Sequence, residues 1–313
     1  MAIFAVLAYG LAWLVCLPLW LGGRGLTQPL TTICGAAMML TPAIAAVITH
    51  RLQRDAGRRP LVEVLGLRLG PWRRWLPYAV LAWLGPLLLS LLALALAAVV
   101  GVYQVDLVHF SGYAEVIAQA TGGEPIPMPI RVLVALTLVQ VLIGAVINTV
   151  PALGEELGWR GFLYSCLADW PAWRRVLVTG VLWGLWHAPL ILLGYNYPTV
   201  PPVAGLGLMV VFTTLLAGLL DWLRRASGTV YVPALAHGAV NASGGLALVF
   251  AAAGSAPSTV STGLLGWTGW LVMAAALVAV AVSAGRCAGG SGRARGAGRP
   301  RDPGAPTERS PAR

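Results

Sequence analysis

Apolar stretches recur along the whole chain, at roughly 2–22, 30–49, 76–100, 131–166, 176–194, 206–223, 229–250 and 263–283. Each is at or near the ~20 residues needed to cross a hydrocarbon core about 30 Å thick. Irregular backbone and open sheet edges leave polar groups unsatisfied in lipid, so stretches of this length must be helices. Only 10% of the 313 residues are charged and 58% are hydrophobic, whereas a soluble domain is roughly one quarter charged and one half apolar. A soluble enzyme, a disordered chain and a nucleic-acid-binding domain are thereby excluded. The expected architecture is an all-α, polytopic transmembrane helical bundle of about eight spanning helices.

The connections between these stretches set the expected orientation. Segment 50–75 carries Arg51, Arg54, Arg58, Arg59, Arg68, Arg73 and Arg74, and Arg174/Arg175 and Arg224/Arg225 lie in the next two alternate connections. The tail after 284 adds Arg286, Arg293, Arg295, Arg299, Arg301, Arg309 and Arg313. In between, 101–130 has three acids and no Arg, and 195–205 and 251–262 carry no charge at all. This alternation follows the positive-inside rule and predicts that both termini are cytoplasmic, with only Arg24 on the opposing side. The net charge of +10 thus reports topology, and no nucleic-acid partner is expected. The first 20 residues lack a basic leader and a small-residue cleavage site, so they read as a retained span. Four scattered cysteines give neither a disulfide framework nor a metal knuckle. Arg without Lys, with abundant Ala, Gly and Pro, suggests a GC-rich genome, and the expected location is a bacterial plasma membrane.

Ionisable groups inside a span are costly and mark functional sites by default. Here they are few: Glu155, Glu156 and Arg160 in the fourth stretch, His187 in the fifth, and His237 in the seventh, joined by the amide of Asn241. We take the cytoplasmic ends as residues 166, 176 and 229 and ~1.5 Å of rise per residue. Glu155 and His187 then lie ~16 Å from that face, His237 ~12 Å and Asn241 ~18 Å. Three helices thus bring their polar groups to one level, nearer the cytoplasm.

Spacing divides the roles. Glu156 and Arg160 are i,i+4 with the acid first, a favourable helical ion pair, whereas Glu155 and Arg160 point about 140° apart. Glu156 therefore reads as the structural partner of Arg160, leaving Glu155 for chemistry. His237 and Asn241 share a face, as do Trp183 and His187. The fourth stretch is about 36 residues, or ~54 Å, too long for a straight crossing; Pro151 and Gly154 predict a kink just before the acids. Asp169 and Asp221 read as surface charges, His50 and His109 as incidental, and the glycines of the seventh and eighth stretches as packing residues.

These motifs, E-E-x-x-x-R (Glu155, Glu156, Arg160), aromatic-x-x-x-His (Trp183, His187) and H-x-x-x-N (His237, Asn241), taken in order over residues 130–250, resemble those of the CPBP intramembrane proteases. That group contains the CAAX prenyl endopeptidases and the Abi or bacteriocin-immunity proteins. The second motif usually begins with Phe, and Trp183 departs from it. The resemblance implies a bundle that cleaves peptides near the cytoplasmic side of the membrane, after an isoprenylated Cys in the prenyl-processing members. Glu155 and His187 would activate water, and His237 and Asn241 would bind the oxyanion. The implied partners are a peptide or protein substrate, lipidated or not, and membrane lipid.

Two versions of the chemistry stand. A desolvated carboxylate is a better general base and needs no cofactor. Alternatively Glu155, His187 and His237 would supply three zinc ligands with a position open for water, as a metalloprotease label implies. The absence of H-E-x-x-H favours the metal-free version. A non-catalytic immunity or membrane-binding protein is the other reading, and a transporter has the least support because no internal repeat is seen. The expected layout is 1–129 as N-terminal spans with a basic loop, 130–250 as the catalytic core, 251–284 as the last span, and 285–313 as a disordered Arg/Gly/Pro-rich tail.

Overall fold

The computed structural model describes residues 1–53, 59–124 and 127–296, with side chains in the last helix described as far as 283. The chain forms α1 (Ala2–Leu21), α2 (Thr31–Leu52), a one-turn α3 (Leu61–Val64), α4 (Trp72–Val99) and α5 (Ser111–Ala120). Next comes α6 (Ile130–Glu156), which passes through a π-helical segment, Leu157–Leu163, into the short α7 (Tyr164–Cys166). Then follow α8 (Ala172–Trp186), α9 (Ala188–Ile191), α10 (Pro202–Ser227), α11 (Tyr231–Ala242), α12 (Leu246–Val249) and α13 (Trp267–Gly296). Among the described residues the sole β element is an isolated bridge between Val105 and Ala251. Met1–Ala274 form one compact unit and the chain from Ala275 a second.

The protein is an all-α, polytopic membrane-spanning bundle. Among the described residues six helical stretches are long and apolar enough to cross: Ala2–Leu21, Thr31–Leu52, Trp72–Val99, Ile130–Cys166, Pro202–Ser227 and Tyr231–Val249. The expected eight are therefore not all realised as long helices. The fifth stretch is cut at His187 into α8 and α9, because Pro189 at the start of α9 has no N–H to continue the ladder. The eighth begins at Trp267, leaving a shorter apolar helix to Ser283. Its helix continues to Gly296, beyond the boundary expected at 284, and the remainder of the tail lies outside the described residues.

The bundle turns its large aliphatic side chains outward, as a helix in lipid does. On α6, Ile147 is 66% and Val150 73% exposed, while Glu155 on the same helix is 2% exposed. Between helices the contact is made by small residues, since lipid tails leave no hydrophobic drive for helix pairing and close backbone approach must supply dispersion instead. A Cβ at Gly154 would lie 2.7 Å from the Met39 carbonyl oxygen of α2, and one at Gly238 would lie 2.6 Å from the Ala145 carbonyl oxygen of α6. Gly184 does the same for α8 against Val210 of α10.

No break falls at Pro151 or Gly154: helix α6 is continuous through both, and Gly154 packs closely on α2. The irregularity comes one turn later, in the π-helical segment that carries Arg160, a feature that often marks functional stretches.

Candidate active site

Glu155 and Glu156 end α6, held there by the approach of α2 at Gly154 and of α11 at Gly238. That second approach fixes the neighbouring His237 against α6. His237 Nδ1 lies 3.0 Å from Glu156 Oε1, the same oxygen that accepts from Arg160 Nη1 at 3.0 Å. Glu156 is fully buried, so it needs both partners to offset its desolvation. The expected Glu156–Arg160 pair is present. Beyond that role, Glu156 orients a histidine, which spacing within one helix could not reveal.

Trp183 links the other groups. Its indole Nε1 donates to Glu155 Oε2 at 2.6 Å, and its backbone carbonyl lies 2.8 Å from His187 Nδ1. The Arg160 guanidinium carbon sits 4.2 Å from a Trp183 ring centroid, a cation–π contact. The His237 ring packs edge-on to the same indole at 5.2 Å. A Phe here would keep the ring contacts and lose the donor to Glu155.

The break between α8 and α9 falls on His187, whose φ −72° and ψ −4° stay in the right-handed helical region. A backbone carbonyl can only accept, so Nδ1 of His187 carries the proton in that bond. In the neutral ring, Nε2 is then left with a lone pair. For His237 the carboxylate of Glu156 likewise takes Nδ1–H, leaving Nε2 as the second nitrogen. The two imidazoles thus stand in different settings, one against a neutral carbonyl and one beside a carboxylate.

Glu155, His187, His237 and Asn241 all line one cavity of about 660 Å³, within the usual range for ligand sites. Trp183 lines it too. Apart from the amides of Asn148 and Asn196, the remaining wall is apolar or hydroxylic, with Met38, Phe212 and Leu264 set among Ser90, Thr31 and Thr262. Two further polar residues went unread in the sequence. Asn148 is two helical turns before Glu155 on the same face, a signal that was available. Tyr195 comes from the turn after α9 and is placed there only by the break at His187; burial, and then the Glu155 carboxylate, push its phenol up.

Among the described residues no group of three or more His, Cys, Asp or Glu side chains is placed to share a metal ion. The zinc arrangement written for Glu155, His187 and His237 is therefore unsupported.

Asp221 is not a surface charge. It is 4% exposed and accepts from Arg175 Nε at 2.6 Å and Nη2 at 3.0 Å, and from Arg225 Nε at 2.9 Å. His50 is likewise buried, with Nε2 3.1 Å from the Arg59 carbonyl oxygen. Arg131, at the start of α6, joins Arg24 at the charge-poor end of the bundle and donates to the Val108 carbonyl.

Residues 130–243 match the family model of the type II CAAX prenyl endopeptidases, Rce1-like. A CAAX prenyl protease 2 from Methanococcus maripaludis is 39% identical over 44 residues, which is 14% of this chain and 16% of that relative. The chain thus aligns with under one fifth of that relative's length. The relative is archaeal, which gives the expected bacterial origin no support.

Proposed function

With a CAAX prenyl endopeptidase domain matched over residues 130–243 as the premise, we propose that this protein is an intramembrane endopeptidase using a water molecule activated by Glu155. The observation that carries the reading is the shared cavity lining of Glu155, His187, His237 and Asn241. No other cavity-lining carboxylate competes with Glu155 for the part of base.

The steps follow from the hydrogen bonds. Trp183 N–H fixes one carboxylate oxygen of Glu155, leaving the other to take a proton from water, while Nε2 of neutral His187 accepts the water's second hydrogen. The oxygen attacks the scissile carbonyl carbon, and the tetrahedral oxyanion is met by Nε2–H of His237 and the Asn241 amide. Donation by His237 requires the imidazolium, whose charge sits beside Glu156. Glu155 then returns its proton to the amine nitrogen as the C–N bond breaks. Donors aimed at charge that appears only in the transition state account for much of such an acceleration. The substrate is a peptide or protein, lipidated or not.

We also infer the orientation. The basic connections 50–75, 167–175 and 224–230 face the cytoplasm, α8/α9 and α13 complete eight crossings, and both termini are cytoplasmic.

The test is a quenched fluorescent peptide assay on the purified full chain. Replacing Glu155 by Gln or His187 by Ala lowers turnover ~10²- to 10⁴-fold, the scale of general-base catalysis. His237→Ala and Asn241→Ala each lower kcat ~10²-fold as oxyanion donors. Full turnover in Glu155→Gln would sink the proposal and leave a membrane-binding or immunity role.

A further inference from the structure

The cavity and the charged loops lie at opposite ends of the bundle. Besides mid-helix residues such as Met39, Leu94 and Phe212, the lining includes Thr31 and Thr32 at the start of α2, Tyr195 and Asn196 after α9, and Pro257, Thr259 and Leu265 before α13. The loop and helix-end residues in this lining all belong to charge-poor connections. No lining residue comes from 50–75, 167–175 or 224–230, the Arg-bearing segments, and no Arg lines it.

The other end is filled. Past Glu156, Arg160 is buried and its carbonyl oxygen accepts from Arg224 Nε at 3.1 Å. The segment after α3 is seated against the π-helical turn and the start of α11. A Cβ at Gly161 would lie 2.9 Å from the Leu65 carbonyl oxygen, and the Gly66 carbonyl accepts from Val230 N at 3.0 Å and Thr229 Oγ1 at 3.3 Å. The void at this end, lined by Arg160, Tyr164, Thr179 and Asp221 among others, is about 10 Å³. That is close to the least that holds one water molecule. A peptide has no such route among the described residues.

We propose that substrate reaches Glu155 from the membrane face opposite the basic loops, as an uncharged, apolar stretch of a polypeptide already exposed on that face. The proposal rests on the endopeptidase reading and on the inferred orientation. Ionisable groups in the lining are confined to Glu155, His187, His237 and the Tyr195 phenol. A Lys, Arg, Asp or Glu in the bound stretch would therefore be desolvated without a dedicated partner. The depth of Glu155, nearer the cytoplasm, then measures the length of the cavity and not the side of approach.

The test uses the full chain in sealed vesicles of known orientation, with the native cysteines replaced. Val240→Cys, between His237 and Asn241 on the cavity wall, reports access by a small charged thiol reagent, which does not cross the bilayer. Thr259→Cys, at the loop end of the same cavity, is the second variant should Val240→Cys fail to accumulate. Cys166, which is exposed at the opposite end, is kept alone as the control. Both cavity cysteines should react at least about tenfold faster from the face opposite that which modifies Cys166. Reaction of Val240→Cys or Thr259→Cys from the same face as Cys166 overturns the proposal.

A second arm adds an uncharged apolar peptide, the same peptide with a central Asp-Lys pair, or a prenylated peptide to either face. Cleavage of the first from the charge-poor face alone, abolished by Glu155→Gln, is expected. Cleavage of any of them from the basic face alone overturns the proposal, as does equal cleavage of the charged peptide. If the cysteines react as expected and no peptide is cut from either face, the route stands and the endopeptidase reading falls.

Discussion

The two ends of this bundle solve the problem of polar groups in a membrane in opposite ways. At the basic end the buried charges have partners: Arg175 with Asp221, Arg224 on the Arg160 carbonyl, Arg160 with Glu156. The chain packs down until about 10 Å³ is left. At the charge-poor end the walls carry hydroxyls and aliphatic groups, and about 660 Å³ stays open down to Glu155. The boundary between them is one residue wide. Glu155 faces the open side and Glu156 the filled one, 100° apart on the same helix. Adjacent identical side chains thus have unrelated settings, one lining the cavity as the proposed base and one a buried counter-ion.

That contrast is most sharply broken by removing charge from the filled end. Asp221→Ala leaves Arg175 buried without its bidentate partner, and breaking such a pair from one side costs ~3–5 kcal/mol. Thermal unfolding in detergent should show that loss, while turnover per folded molecule stays within about twofold. Lost turnover at unchanged stability would show that the two ends do not divide their duties in this way.

The next largest effect lies on the boundary itself. Trp183→Phe keeps an aromatic ring beside Arg160 and His237 but deletes the N–H that holds Glu155 Oε2. A hydrogen bond to a charged group contributes ~1.5–3 kcal/mol, so kcat should fall ~10- to 100-fold. KM should move little, because the indole N–H is spent on Glu155. A rise in KM at constant kcat would instead make Trp183 part of the substrate pocket.

The filled end was hidden from sequence analysis and the open site was not, for a physical reason. Glu155, His187 and His237 stood out because ionisable groups are rare against an apolar background, and three helices placed them at one depth. Asp221 sat beside Arg224 and Arg225 in the sequence and so read as one more surface charge. Its true partner, Arg175, is on another helix, 46 residues away. The break at His187 was legible in principle from Pro189, but the π-helical turn was not. Pro151 and Gly154 offered a better local reason for a kink, and the need for glycine there came from α2, which spacing along α6 cannot show. Among the described residues six stretches qualify as long apolar spans, and the other two of the expected eight differ for local reasons: Pro189 divides one into α8 and α9, and α13 starts only at Trp267.

The smallest expected effect sharpens the open end. Its rim is the segment 250–266, tied down by the loop before α5. Asp106 N donates to the Phe250 carbonyl, Ser111 Oγ accepts from Ala253 N, and Glu115 accepts from Gly254 N. Asp106 organises that loop by accepting from the backbone N–H groups of Val108, His109 and Ser111 and from the Ser111 hydroxyl. The His109 N–H and then the Ser111 hydroxyl hold its carboxyl well below the usual carboxylate range. A depressed folded-state value means that the stabilisation is present above the unfolded value of about 4 and is lost only as pH falls through the folded one. Amide exchange across 106–111 and 250–254 should thus stay slow through pH 4 and rise only in stronger acid. Asp106→Asn should raise it at neutral pH, with KM changed by no more than about twofold. An unchanged rim in Asp106→Asn would mean that the cavity mouth is held by α12 and α13 alone, and that the charge-poor end is as rigidly built as the filled one.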